Sequence, residues 1–330
     1  MTKAALTTSL VKLYGHAKFQ YIRAGQQGEK FMVFPVSGVD VNPLVPLAVA
    51  FSVSFFTSMG GVSGAFLLLP FQVSFLGYTA PSVSATNHVF NIVAIPSGVY
   101  RYIREGRMLW PLTWAVIIGT LPGVFIGAWV RIVYLPDPQN FKLFVGLVLL
   151  YIGWRLLMDV LKRAAKNQNV DAATPKESAH SVRVIETTWQ KIKFEYNRES
   201  FSFSPPIVYI ICFLVGIAGG IYGIGGGSIV APFFVAIIGL PVYAVAGAAL
   251  MGTFVTSLAG VLFYQVLAQF YPLMSVGPDW QLGILFGIGG IFGMYLGART
   301  QKYVPARVIK GILCASVLFV AGKYILGFFI

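Results

Sequence analysis

The stretch GGIYGIGGGSIVAPF, Gly219 to Phe233, decides how the chain folds. Six of its first nine residues are glycine, among the poorest residues for a helix interior. Yet it lies inside an apolar run from Pro205 to Leu240, long enough to enter a bilayer. A helix that breaks itself in hydrocarbon needs a reason. Irregular backbone is tolerated at that depth only where protein buries it or where it lines a cavity.

The rest of the chain supplies the membrane context. Of 330 residues, 57% are hydrophobic and 11% are charged, against roughly 25% charged in soluble domains, and the mean hydropathy is +0.76. Apolar segments run from 43 to 76, 82 to 102, 109 to 133 and 141 to 160, then after a polar stretch from 205 to 240, 242 to 267, 281 to 298 and 307 to 330. The reading is an all-α polytopic membrane protein of about eight transmembrane helices in two four-segment sets. It divides into a basic tail over 1–42, a first transmembrane repeat over 43–160, a polar linker over 161–204 and a second repeat over 205–330. The first forty residues lack an apolar core of signal-peptide type, so internal segments are expected to direct insertion. KIKFEY (Lys191–Tyr196) and SFSFS (Ser200–Ser204) alternate apolar with polar, as an amphipathic hairpin would; a charged irregular loop is the alternative.

The net charge of +13 resides in the tail and loops, where it serves orientation and attraction to anionic lipid headgroups and not nucleic acid. Cys212 and Cys314 fall in apolar segments and read as small core residues. No cofactor and no metal site is expected.

The two sets look duplicated. GGVSGAFLLLPF (Gly60–Phe71) aligns with YGIGGGSIVAPF (Tyr222–Phe233), placing Pro70 on Pro232, Gly77 on Gly239, Gly98 on Gly260 and Tyr102 on Tyr264. GVFIGA (Gly123–Ala128) matches GMYLGA (Gly293–Ala298). Such internal symmetry is common in transporters. If each interrupted segment crosses once, the halves are parallel, and Lys plus Arg divide 18 to 6 with the N-terminus inside. If each folds back as a hairpin, the halves are inverted and the division is 16 to 8 with the N-terminus outside. The total favours the parallel arrangement, which is the expectation adopted; the short loops, which weigh most, favour the inverted one.

Matched breaks point to a solute site near the midplane. Ser228 is expected to cap a half-helix over Ile229–Gly239, and Ser63 one through Leu69, each leaving amides and the positive end of a helix dipole toward the break. A helix start of this kind binds anions without a cationic side chain. Gly225, Gly226, Gly227 and Ser228 would form one side of the site, Ser63 and Gly64 the other. Asn87 and Asn91 lie one turn apart, as do Thr253 and Thr256, and each pair could line the cavity as hydrogen-bond donors. His88 is a candidate proton carrier, although a satisfied buried imidazole explains it as well. Close helix packing is the competing account of the glycines: Gly216/Gly220, Gly219/Gly223, Gly223/Gly227, Gly123/Gly127 and Gly293/Gly297 all have small-xxx-small spacing. No Asp or Glu sits mid-span, which disfavours a cation substrate.

The second glycine motif, followed by LPVYAVAGAALMGTFVTSLAGVLFYQ and accompanied by its first-half counterpart, resembles the TauE/SafE sulfite exporter family over residues 43–330. The resemblance implies a multi-pass protein of the cell (inner) membrane that moves small sulfur-containing anions such as sulfite or sulfonates, by export in many members and uptake in others. The residues themselves read as a secondary carrier whose two halves would rock about the site, and not as an enzyme, since no nucleophile–base pair and no cluster with metal spacing falls within the spans. An anion channel or a carboxylate permease is the rival. A homo-oligomer is compatible with this reading. In the first motif Ser63 and Ala65 stand where the second has Gly225 and Gly227, so the two breaks need not contribute equally.

Overall fold

The computed structural model describes residues 31–59, 63–106, 108–165, 183–188, 190–196, 199–234, 238–240, 242–300, 303–304 and 306–329. Its helices are α1 (Leu44–Met59), α2 (Ala65–Ser74), α3 (Ser82–Ala94), α4 (Pro96–Arg104), α5 (Trp110–Val133), α6 (Pro138–Ala165), α7 (Pro205–Tyr222), α8 (Gly226–Phe233), α9 (Val242–Phe270), α10 (Trp280–Thr300) and α11 (Ala306–Phe329). Among the described residues six helices are long and apolar enough to span a membrane: α5, α6, α7, α9, α10 and α11. Two shorter apolar helices, α1 and α2, accompany them. The chain is therefore mostly helical and polytopic.

Helix boundaries follow local chemistry. Prolines open α4, α6 and α7, where a missing N–H costs nothing. The Asp137 carboxylate accepts from the amides of Gln139 and Asn140 at 2.9 and 3.0 Å, capping α6. Pro96 divides the segment expected to run unbroken from Ser82 to Tyr102, because proline cannot donate to a carbonyl one turn back.

The interrupted segments fold back on themselves. A Cβ on Gly219 would lie 2.8 Å from the carbonyl carbon of Gly225, and one on Gly226 would lie 3.4 Å from the Cα of Gly216. A continuous helix would separate residues ten apart by about 15 Å. Gly223 (φ +81°) and Gly225 (φ +70°) reverse the chain within three residues, using backbone angles that side chains rarely allow. In the first segment a Cβ on Gly64 would come within 3.0 Å of Ser54 Oγ and 3.3 Å of Thr57 Oγ1, again ten and seven residues back. Gly60 to Val62, part of the first motif, lie outside the described residues. The single-crossing arrangement that the charge total favoured is thus overturned. Two left-handed glycines make reversal cheap, and total charge is a weaker guide than backbone geometry.

The hairpins enter from opposite ends. Ser37 bonds Asp279 at the start of α10, and Ser82 at the start of α3 bonds Ser275. These starts share one end with the strands β1 (Met32–Val33) and β2 (Asp40–Val41), here the tail end. Glycines at 289, 293 and 297 of α10 pack successively against Leu47, Phe51 and Phe55 of α1, so these helices run parallel from the tail end. Glycines at 119, 123 and 127 of α5 pack successively against Tyr209, Phe213 and Ile217 of α7. Helix α5 returns to the tail end, where Arg131 donates to the carbonyls of Thr79 and Leu135 and stacks 3.7 Å over Phe141. Helix α7, parallel to it, therefore starts from the far end.

That far end carries a three-stranded antiparallel sheet, β3 (Arg183–Thr187), β4 (Ile192–Tyr196) and β5 (Glu199–Phe203), in the order β3-β4-β5. Along β4 the residues Ile192, Phe194 and Tyr196 are buried and join the main hydrophobic cluster of the helices, while Lys193 and Glu195 alternate outward. This is the linker end.

Candidate functional site

Helix α3 threads between the two hairpin tips. Its Asn87 side chain donates to the Ala65 carbonyl at the start of α2 (3.1 Å), and its Asn91 side chain donates to the Ile224 carbonyl in the second break (3.1 Å). Tyr222, the last residue of α7, donates to the Phe66 carbonyl of α2 at 2.6 Å. The two tips therefore meet directly, and one helix ties both.

Around the second break Asn91 also donates to Ser257 Oγ (3.3 Å), which lies 3.2 Å from His88 Nδ1. Ser84 donates to the Ile221 carbonyl (2.8 Å) and Tyr264 to that of Gly220 (3.0 Å). Five carbonyls, those of Gly220, Ile221 and Ile224 ahead of α8 and of Ala65 and Phe66 in α2, are thus occupied by side-chain donors. By contrast, the first-turn amides of α8, on Gly226, Gly227 and Ser228, have no carbonyl one turn behind them, and none donates to another described residue. At the break three carbonyls are thus covered by side chains, while the first-turn amides of α8 stay free.

Several expectations change at close range. Helix α8 begins at Gly226 and not at Ile229, with Gly225 as its N-cap, so Ser228 sits inside the first turn. Its hydroxyl lies 3.3 Å from the Ile224 carbonyl and 3.1 Å from Thr253 Oγ1 and does not cap the helix. Ser63 does accept from a first-turn amide, that of Ala65, at 3.3 Å. Thr253 and Thr256 donate back to the carbonyls of Ala249 (2.8 Å) and Gly252 (2.6 Å). Their protons are spent on their own helix, so in this state they offer lone pairs and not donors. The amide donors of Asn87 and Asn91 are likewise committed to the hairpin backbones. The glycines also serve packing: a Cβ on Gly226 would lie 2.5 Å from Thr120 Cγ2, and one on Gly227 would meet the Ala249 carbonyl.

Four buried side-chain atoms near the breaks have no partner: Ser54 Oγ, Gln72 Oε1, His88 Nε2 and Asn91 Oδ1. Buried polar groups are rarely left this way, and these four are the side-chain atoms a solute could engage. Ser54, Gln72 and Tyr222 are not marked by the sequence as site residues, whereas Ser257 shares a helix face with Thr253 and Thr256 and reads as a possible wall of the same cavity. Helical spacing could have found Ser54 ahead of the first glycine break; Tyr222 reads as one more aromatic in an apolar run.

A family profile described as "TauE: Sulfite exporter TauE/SafE" matches residues 46–324. The chain is 23% identical over 208 residues to the "Probable membrane transporter protein YunE" of Bacillus subtilis (strain 168), covering 63% of this chain and 67% of that protein. No solved structure matches it.

Proposed function

Because the chain belongs to the TauE/SafE family of membrane transporters, we propose that it is a secondary carrier for a small oxyanion, in the class of sulfite and organosulfonates. The observation that carries this reading is the charge asymmetry at the second break. Asn91, Ser84 and Tyr264 cover three of the carbonyls there, those of Ile224, Ile221 and Gly220, while the first-turn amides of Gly226, Gly227 and Ser228 are free at the positive end of a helix. Ser63 and Gly64 hold the equivalent place in the first hairpin, where the amide of Ala65 is partly engaged by Ser63. Asn87, Asn91, Thr253 and Thr256 set the walls. His88, joined to Ser257 through Nδ1 and unpartnered at Nε2, is the group in the site able to accompany an anion with a proton.

The two hairpins act as related elements of an internal duplication. Supporting this, each ends in the same backbone bond from an amide to the carbonyl six residues before it, Tyr78 to Gln72 and Leu240 to Phe234, at positions that coincide in the register of the aligned glycine motifs. Their entry from opposite ends makes the duplication an inverted one. For such an inverted arrangement the sequence divides Lys and Arg 16 to 8, which turns the linker end toward the cytoplasm and the tail end outside.

The test is flux in proteoliposomes. Labelled sulfite or a sulfonate should move saturably and show counterflow exchange, and Ser228→Ala, which removes the hydroxyl shared with Thr253, should slow it while folded protein is retained. Unchanged flux in that variant counts against the site. Large single-channel currents would replace the carrier by a pore. A thermal-shift screen over sulfite, sulfate, sulfonates and carboxylates identifies the solute, since a ligand of the folded state raises the midpoint.

A further inference from the structure

A cavity of about 290 Å³ opens at the tail end, away from the hairpin tips. Ser74 closes it from the end of α2, Gln139 and Lys142 from the first turns of α6, and Lys323, Tyr324 and Phe328 from the last turns of α11. We propose that this cavity holds the phosphate of an anionic phospholipid.

Charge comes first. The lining contains two ammonium groups and no carboxylate, and neither lysine has an ion-pair partner among the described residues. Two cations facing one small space repel unless an anion lies between them. Gln139 adds a side-chain amide donor of the kind that holds phosphate oxygens, the Ser74 hydroxyl being engaged with Tyr324. The volume is at the lower end of ligand sites, roughly 300–1,000 Å³, which suits a headgroup phosphate.

Location selects a lipid over a free anion. Helices α6 and α11 pack antiparallel, Gly146 against Tyr324 and Gly153 against Leu318. Their outer faces expose Leu147, Leu150 and Trp154 on α6 and Phe319, Leu326 and Phe329 on α11. Such an apolar surface on a spanning pair faces acyl chains. The lysines sit where that surface ends, at headgroup depth, where long basic side chains extend toward the interface. Phe328, half-exposed at the rim, continues the apolar face into the cavity. An amphipathic occupant satisfies both parts at once.

The site also touches the transport apparatus. Tyr324 lies 2.7 Å from Ser74 Oγ and donates to the Pro70 carbonyl at 3.2 Å, both on α2. A headgroup that orders Lys323 and Tyr324 therefore steadies the returning arm of the first hairpin. This inference rests on the cavity and not on the identity of the transported solute.

The experiment compares the full-length protein in nanodiscs of phosphatidylcholine alone and of phosphatidylcholine doped with phosphatidylglycerol, read by thermal midpoint and by native mass spectrometry of retained lipid. The anionic lipid should raise the midpoint by about 1–2 °C, since the shift a given stabilisation produces falls as chain length grows. It should also be retained in the spectrum. Lys142→Gln with Lys323→Gln should abolish both effects and leave the midpoint in phosphatidylcholine unchanged, whereas the paired Arg replacements should keep them. If the double variant does not fold, Lys323→Gln alone, at an exposed position, should at least halve the shift. Equal midpoints in the two lipids, a shift that survives the Gln pair, or the same shift produced by inorganic phosphate in phosphatidylcholine discs would each overturn the proposal.

Discussion

The hydroxyl of Tyr222 donates to the carbonyl of Phe66 at 2.6 Å, across 156 residues of sequence. That carbonyl lies one turn before Pro70, which has no N–H to give it. A proline in the second arm of one hairpin thus creates a vacancy that the tip of the other hairpin fills. Tyr222→Phe should leave the packing intact and the carbonyl unpaired, at a cost of about 1–3 kcal/mol. Thermal unfolding in detergent measures the loss, and a midpoint equal to that of the parent would remove the bond from any account of how the tips are joined.

Asn91 serves the second break alone, through Ile224 and Ser257. Replacing it with alanine leaves the Ile224 carbonyl with the longer bond from the Ser228 hydroxyl (3.3 Å) and makes the break less electropositive. Anion flux should fall at least tenfold, corresponding to about 1.4 kcal/mol, while helical content by circular dichroism is retained. Asn87→Ala, acting at the Ala65 carbonyl, should cost less flux if the second break dominates; a larger loss there would reverse that ranking.

Gly225→Ala tests the reversal itself. At φ +70° an alanine is strained, and its Cβ would lie 3.0 Å from Ser257 Oγ, Thr256 Oγ1 and the Thr253 carbonyl. The expected destabilisation is about 1–3 kcal/mol. Gly311→Ala, in α11 with nothing within 4 Å of the added atom, is the matched control and should be neutral or slightly stabilising. Equal behaviour of the two variants in a melting assay would sink the assignment of a tight turn at Gly225.

Asp279 holds the tail end together. Its carboxylate accepts from the amide and hydroxyl of Ser37 (3.0 and 2.8 Å) and from the amide of Leu282 (3.2 Å), and its own amide donates to Thr86 at 2.9 Å. Asp279→Ala strips three donors of their acceptor at a site that is 1% exposed. We expect at least about 2 kcal/mol of lost stability and faster amide exchange at residues 34–39, checked by hydrogen–deuterium exchange mass spectrometry. Protection there unchanged from the parent would mean the strands are held by Phe34 and Val39 alone.

How far the sequence could be read follows from which interactions are local. The breaks were legible because glycine content is a local property, and the membrane class because apolar length is. The direction of the hairpins was not. Charge totals of 18 to 6 and 16 to 8 differ too little to decide, and the reversal depends on contacts between Gly216 and Gly226 that no spacing rule reveals. Ser228 was misplaced as a cap because a serine before an apolar run is the usual signal, whereas Gly225 takes the cap and starts the helix earlier. Thr253 and Thr256 were expected to donate outward, yet a threonine hydroxyl in a helix readily turns back to the carbonyl four residues before it.

The glycine seams have a mechanical consequence. Helix α5 from the first half is fused backbone to backbone with α7 from the second, and α10 from the second with α1 from the first, at contacts where even a methyl group would collide with main-chain atoms. Neither pair can slide without opening its seam, so chain halves cannot serve as the two levers of an alternating cycle. In the proposed carrier the levers would be mixed pairs, each carrying one hairpin on a helix borrowed from the other half, and a crosslink between the ends of α5 and α7 should leave the cycle running where one between α3 and α9 stops it.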